Sequence, residues 1–251
     1  MKFLIIIKIN LALFSTFSFQ MAFAQIYVEQ TSGRPQHQAT TVSVYGPDAS
    51  NKKIPLSRIK GSPFWKEEWQ LASLYDKNAQ RLNIVPVRLN LATNELHFMW
   101  KEKELVAGDN NKITLIVFHT NNDSSSIGTM FIKNIPDLVI NKKPLTAFVR
   151  LMNAGNCQLL KYTNRRVYPG EDSLFGTQKR YIFRDVNFYF LKTGDKVERI
   201  KRLNSDHFLA HIPEAASYKD WINQNNLSFK KEEDLVLFLN YYNSQPNSSR
   251  Q

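Results

Sequence analysis

The sequence predicts a mainly β protein, an antiparallel meander or sandwich-like pair of sheets followed by two short C-terminal helices. Three observations carry this prediction. Two alternating runs, Leu145 to Val167 and Lys179 to Leu203, each reverse at a glycine, Gly155 and Gly194, as β-hairpins do. The run Lys112 to His119 has apolar residues on both sides, Ile113, Leu115 and Val117 against Ile116 and Phe118, which fits a central strand. Near the C-terminus the period changes, and Leu235, Phe238, Leu239 and Tyr242 recur at the i, i+3, i+4, i+7 spacing of one buried helical stripe.

The chain begins with the features of an export signal. Lys2 and Lys8 supply positive charge, an apolar core runs from Ile9 to Phe19, and Ala22, Phe23 and Ala24 form a small-x-small cleavage site before Gln25. The apolar run is short for a bilayer span and is interrupted by Lys8 and Asn10, so residues 1–24 read as a signal peptide rather than an anchor, with no transmembrane span after cleavage. The expected location is the periplasm, the cell surface or the extracellular medium. Of 33 Lys and Arg residues, 31 remain once Lys2 and Lys8 are removed, against 22 Asp and Glu, a balance of about +9. Such a balance can serve an acidic partner, but the basic residues are scattered in pairs such as Lys52 and Lys53 or Arg165 and Arg166, and a solvated surface is the favoured reading. Export makes nucleic acid a poor candidate and leaves another envelope protein or an anionic glycan. The single cysteine, Cys157, has no internal disulfide partner and is expected to be a buried apolar residue.

Residues 25–60 read as an irregular N-terminal segment with one alternating run, Thr41 to Tyr45, ordered only if it pairs with the later sheet. A β-rich domain, built as one sheet or two sub-sheets, is expected over 61–243. At its start the aromatic cluster Phe64, Trp65 and Trp69 forms either a platform for sugar rings or a plug at one end of a β core, and the plug is favoured. Trp69 to Tyr75 and Leu82 to Leu91 make a hairpin in which Pro86 marks an edge or a bulge, because proline cannot donate to a ladder. Glu95 to Trp100, Ile127 to Ile132 and Ile135 to Ile140 are further strands, with a charged turn at Lys101 to Glu104.

In the two hairpins Leu145, Ala147, Val149 and Leu151 share a face, and Tyr181, Phe183, Tyr189 and Leu191 alternate against Ile182, Val186, Phe188 and Phe190. Arg165 and Arg166 are expected to reach solvent. The charge at Asp185 predicts a bulge or an edge over Asp185 to Asn187, since a charge in an apolar strand must be paired or face water. Arg199, Lys201 and Arg202 mark a half-exposed edge strand protected from unwanted strand addition. Helices are placed near 217–225, capped by Ser217, and near 230–242, with Glu232, Glu233 and Asp234 at the positive end of the second helix dipole. Residues 244–251 read as a disordered tail.

No arrangement of nucleophile, acid, base or phosphate-binding loop is present in the sequence. No catalytic residue and no cofactor is expected. His207, His211 and Glu214 form an H-x3-H-x2-E spacing that would gather metal ligands on one helix face, but Pro213 interrupts that helix and no HExxH base is present. The candidate binding surface is Trp65, Trp69 and Trp100 with Arg199, Lys201 and Arg202. The expected function is therefore that of a secreted or periplasmic non-catalytic protein that binds an envelope macromolecule through a sheet edge or a basic face. One alternative is a carbohydrate-active or other hydrolase using dispersed acids near Trp65, Trp69 and Trp100. Another is an apolar ligand carrier whose cavity is lined by Tyr181 to Leu191.

The runs SPFWKEEWQ, IVPVRLNLATNELHF, FVRLMNAGNCQLLKY, RYIFRDVNFYFLKTGDKVERIKR and FKKEEDLVLFLNYYN, between Gly61 and Asn243, resemble a group of uncharacterised secreted β-rich proteins of Bacteroidota. The resemblance implies a signal peptide, a β-rich body and a closing helix ending in Tyr-Tyr-Asn. It implies a bacterial envelope compartment and carries no activity.

Overall fold

The computed structural model describes residues 41–43, 53–108, 112–170 and 181–245. The expected signal peptide 1–24 and its cleavage site lie outside the described residues, and of the expected disordered tail 244–251, Ser244 is instead the last residue of a helix while 246–251 lie outside them.

The fold is mainly β. In chain order the strands are β1 (Thr41–Ser43), β2 (Lys53–Pro55), β3 (Ile59–Lys60), β4 (Gln70–Tyr75), β5 (Arg81–Asn90), β6 (Glu95–Trp100), β7 (Lys103–Val106) and β8 (Leu115–Phe118). They continue as β9 (Met130–Ile132), β10 (Val139–Ile140), β11 (Lys143–Pro144), β12 (Val149–Leu151), β13 (Cys157–Pro169), β14 (Tyr181–Thr193) and β15 (Lys196–Ile200). Three helices follow, α1 (Ser205–Leu209), α2 (Lys219–Gln224) and α3 (Glu232–Ser244). One large sheet runs in the order β15-β14-β13-β12-β9-β8-β4-β5-β6-β7, with β3 added parallel to β14, and it is open, since β15 and β7 end it. All its other pairings are antiparallel. The predicted central strand, β8, lies inside this order between β9 and β4.

Several local expectations change. β1 pairs with β2 and not with the large sheet. Residues 53–60, expected to be irregular, instead carry Ile54 and Ile59 onto Val167 and Tyr181 as a small buried cluster. Pro86 lies in an interior strand with no bulge at that position. The β5–β6 ladder starts one residue later, at Val87, so β5 is locally unpaired on that side at Pro86. The charged turn shrinks to Lys101 and Glu102, both at positive φ, which starts the short strand β7 where a loop was expected. Ser217 does not cap α2. Its hydroxyl donates to the Glu214 carbonyl within a preceding 3-10 turn.

The Asp185 to Asn187 bulge is absent. β13 pairs with β14 without interruption from Cys157–Thr193 to Pro169–Tyr181, placing Arg165 opposite Asp185. The charge is tolerated because it is paired across the ladder. For the same reason Arg165 does not run free into solvent. Its Nε and second guanidinium nitrogen donate to the two Asp185 carboxylate oxygens at 2.6 and 2.9 Å. Its remaining guanidinium nitrogen donates to the carbonyls of Ser62 and Phe64. Nor does Arg166 open fully to water, as its Nε is buried.

The sheet has two packed faces. On one, Leu138, Val149, Leu160 and Phe190 are buried under the β10–β11 hairpin side, with Tyr162, Phe188 and Val197 packed beside them. On the other, cross-strand register builds a continuous row: Leu74, Ile116, Phe131, Arg150, Lys161, Tyr189 and Ile200. The Leu74 end belongs to a cluster with Ala72, Val87, Leu89, Phe98 and Phe118, with Trp65 packed against it. The Ile200 end lies under the helices, where Cys157, Leu159, Leu191, Phe208, Leu235, Phe238 and Leu239 are buried together. The stripe predicted for α3 is buried at each of its four positions. Cys157 is fully buried, and burial pushes its thiol pKa up.

Between these two apolar blocks, and short of the cluster formed by Ile54, Ile59, Val167 and Tyr181, the row is cationic. That interruption positions the site.

Candidate functional site

Alternation on β13 puts Cys157, Leu159, Lys161, Thr163, Arg165 and Val167 on one face. The first two lie under the helices and the last under the β2–β3 segment. The middle three have no apolar cover. A cavity of about 230 Å³ opens over them, lined by Trp65, Leu91, Phe131, Arg150, Lys161, Thr163, Arg165 and Asp185. A second, more open space of about 320 Å³ is lined by Gly61, Ser62, Arg165, Phe183 and Asp185. The two have Arg165 and Asp185 in common, and together they are termed the groove.

The cations in this groove differ in their commitments. Arg165 is bound to Asp185 and to two main-chain carbonyls, which fixes the Ser62–Phe64 segment to the sheet. Lys161 Nζ lies 2.7 Å from Glu232 Oε1, at the first turn of α3, and the Tyr189 hydroxyl donates to the same oxygen at 2.6 Å. Burial raises the Glu232 pKa, but the hydrogen bonds from Lys161 and Tyr189 outweigh it and hold the carboxyl below its ordinary value. Tyr189 is driven the other way, by burial and by its bond to that carboxylate. Arg150, opposite Lys161 in the β12–β13 register, forms no ion pair among the described residues, and its Nε is buried without a hydrogen-bond partner. Thr163 donates its hydroxyl to Asn187 Oδ1 at 2.9 Å. The groove thus has a basic end at Arg150 and Lys161 and a hydroxyl and carboxylate end at Thr163 and Asp185, beside the apolar side chains Trp65, Leu91 and Phe131.

The three tryptophans predicted as one surface go to different places. Trp65 lines the cavity and packs against Phe118 and Phe131, with ring centroids 4.7 and 5.2 Å away. Trp69 stacks on Arg88, which also covers Phe64. Trp100 is 45% exposed at the end of β6. Arg199 lies over the Phe188 ring at 4.9 Å on the opposite sheet face, and Lys201 and Arg202 are exposed after β15. The strand β14 divides its aromatic side chains among three packed clusters, and of these Phe183 borders the open compartment.

His207, His211 and Glu214 are not assembled. α1 ends at Leu209, His207 is exposed, His211 Nδ1 faces Glu198 Oε2 at 3.2 Å, and Glu214 adopts a left-handed conformation before the next turn. No group of three or more His, Cys, Asp or Glu side chains among the described residues is placed to hold a metal.

Two histidines occupy arrangements that sequence reading missed. Ser73 Oγ lies 2.8 Å from His119 Nε2, and His119 Nδ1 lies 2.6 Å from the Ser126 carbonyl. In a neutral ring the carbonyl takes the Nδ1 proton and Nε2 accepts from Ser73. Both side chains are buried and neither lines either cavity, so the pair pins the 120–126 loop. His97 Nδ1 contacts Glu104 Oε1 at 2.7 Å, and Arg88 reaches the same oxygen at 2.9 Å. Burial pushes the Glu104 pKa up, but His97 and Arg88 lower it further than burial raises it.

Arg150, Lys161 and Thr163 were not singled out from sequence. The local signal is the polar interruption Lys161–Thr163–Arg165 between Leu159 and Val167 on one β13 face. The cross-strand signal from Arg150 needs the register. No helix among the described residues is long and apolar enough to cross a membrane. Comparison with known protein families, with curated proteins and with solved structures gives no match to this chain.

Proposed function

We propose that the protein is an exported, non-catalytic binding protein of the bacterial envelope that holds an acidic macromolecule on the basic face of its sheet. The observation that carries the reading is the polar strip Arg150–Lys161–Thr163–Arg165, which lines a cavity between two apolar cores. Lys161 and Arg165 have structural partners, but Arg150 forms no ion pair among the described residues, and every neighbour in the same cross-strand row beyond Lys161 and before Arg150 is apolar or aromatic. The surplus of about +9 charges in the chain after residue 24 supports an acidic partner. The chemistry of the groove also favours binding over hydrolysis. Glycoside hydrolysis uses two carboxyl groups about 5–9.5 Å apart. Among the described residues lining the groove, Asp185 is the one carboxylate, and it is tied to Arg165.

Co-sedimentation of the purified protein with isolated envelopes tests this. The wild type is expected to be retained at low salt and released as ionic strength rises, with Arg150→Met retained about tenfold less, the scale of one lost charge-assisted contact. Absence of retention, or equal retention of the variant, overturns the reading.

A further inference from the structure

Resting on that reading, we infer that the groove is a subsite for an acidic saccharide, binding the carboxylate of a hexuronate unit at Arg150 and Lys161 and sugar hydroxyls at Thr163 and Asp185. An anion alone does not account for the lining. Asp185 repels one, yet it sits in the same cavity as the cations. Both of its oxygens take a hydrogen bond from Arg165, and a carboxylate oxygen retains a second lone pair for a hydroxyl donor. Arg165 therefore acts as the scaffold that aims and charges Asp185. Its own donors point to Asp185, Ser62 and Phe64.

Arg150 lines the cavity and has no ion pair among the described residues, although its charge also acts on Glu232, and a guanidinium has the fork geometry that matches a carboxylate. Lys161 supports it from the directly opposite register position, with ammonium donors beyond the one used on Glu232.

The spacing matches a sugar chain. Thr163 lies two residues beyond Lys161 on β13, about 7 Å along the strand, and Arg165 with Asp185 lies about 7 Å further. One hexose unit fits within the first interval, and the second compartment, beyond Asp185, accommodates the next. Trp65, Leu91 and Phe131 supply apolar surface beside the polar groups, the combination that meets the C–H face of a pyranose while its hydroxyls are hydrogen-bonded. An acidic peptide offers charge but few hydroxyl donors to Asp185.

The experiment is titration calorimetry of the intact protein with tetragalacturonate, its fully methyl-esterified form and poly-glutamate. The esterified sugar keeps hydroxyls without charge, and poly-glutamate keeps charge without hydroxyls. Tetragalacturonate is expected to bind at least roughly tenfold tighter than either. Arg150→Met is expected to weaken it roughly tenfold, with Arg150→Lys recovering part of the loss. Asp185→Asn and Thr163→Val are expected to weaken the uronate severalfold, with poly-glutamate binding unchanged or improved. Lys219→Gln, on the exposed side of α2, is expected to leave every value unchanged. Thermal melting of each variant separates lost binding from lost folding, and Thr163→Val carries the test if the charged variants do not fold. Poly-glutamate binding as tightly as the uronate, with Asp185→Asn and Thr163→Val without effect, overturns the saccharide assignment and leaves the basic-face reading standing. Indifference of every anionic probe to Arg150→Met overturns both.

Discussion

One ring meets more aromatic neighbours in the helical cap than any other, and Phe238→Ala measures that packing. Phe238 is fully buried on α3, with ring centroids of Phe208, Phe229, Tyr218, Trp221 and Tyr242 between 5.5 and 6.2 Å away. An aromatic side chain buries about 150–250 Å². At about 25 cal/mol/Å² that is roughly 4–6 kcal/mol, an upper bound because the unfolded chain already hides part of the surface. Truncations of this kind cost about 3–5 kcal/mol, the spread reflecting how far the site collapses. Here the surrounding rings are anchored on α1, α2, α3 and the segments between them, so collapse is limited and we expect about 4 kcal/mol. Urea unfolding followed by tryptophan fluorescence gives the assay, since Trp221 stacks on Tyr241 at 3.9 Å within the cap. With an m-value of about 2 kcal/mol/M the midpoint falls by roughly 2 M. Leu237→Ala, at a 48% exposed position of the same helix, changes helix propensity little and is expected within about 0.5 kcal/mol of wild type. A loss below about 1 kcal/mol for Phe238→Ala, or equal losses for both, refutes the packing argument.

Asn243 ties the end of α3 to the β12–β13 turn. It accepts from the Cys157 N–H and donates to the carbonyls of Ala154 and Cys157, so Asn243→Ala is expected to cost about 1–3 kcal/mol in chemical denaturation. Gly155→Ala probes the same joint, because Gly155 has φ +110° and a Cβ there would lie 2.5 Å from the Asn243 amide nitrogen. It is expected to lower the melting temperature measurably. The Glu232 carboxyl titrates lower in the folded protein than in the unfolded chain, so its stabilisation is complete above the unfolded value of about 4.3 and is lost as pH falls through the folded value. Glu232→Gln is expected to flatten stability against pH in that acidic window, as read from urea midpoints between about pH 3 and 7. Cys157, buried with its thiol pKa raised, is expected to resist thiol-specific labelling in the native protein and to react fully in denaturant, as mass spectrometry will show.

Local periodicity made much of this fold legible. The face assignments on β14, the Gly155 and Gly194 reversals, the central position of β8 and the four-residue stripe of α3 all follow from side-chain alternation and turn chemistry, which act over a few residues. The missed elements are those whose cause lies far away in the chain. Asp185 looked like a defect in an apolar strand because its partner, Arg165, is twenty residues earlier, and only strand pairing sets them face to face. Thr41 to Ser43 found its partner in β2 and not in the large sheet, a choice between ladders that local pattern does not encode.

The candidate site illustrates the same division more sharply. Sequence alone determined the composition from which a binding face is made: a net positive chain, an aromatic cluster at Trp65 and a polar run through Lys161 and Thr163 within β13. Tertiary structure decided which of those groups meet. It separated Trp65 from Trp69 and Trp100, turned Arg199 onto the opposite face, and brought Arg150 beside Lys161 through antiparallel register. The physical reason is that register and sheet order are set by burying the whole set of apolar faces at once. Where those apolar faces stop, between the core around Phe98 and Phe118 and the cap around Phe238, the strip of cations lines a cavity.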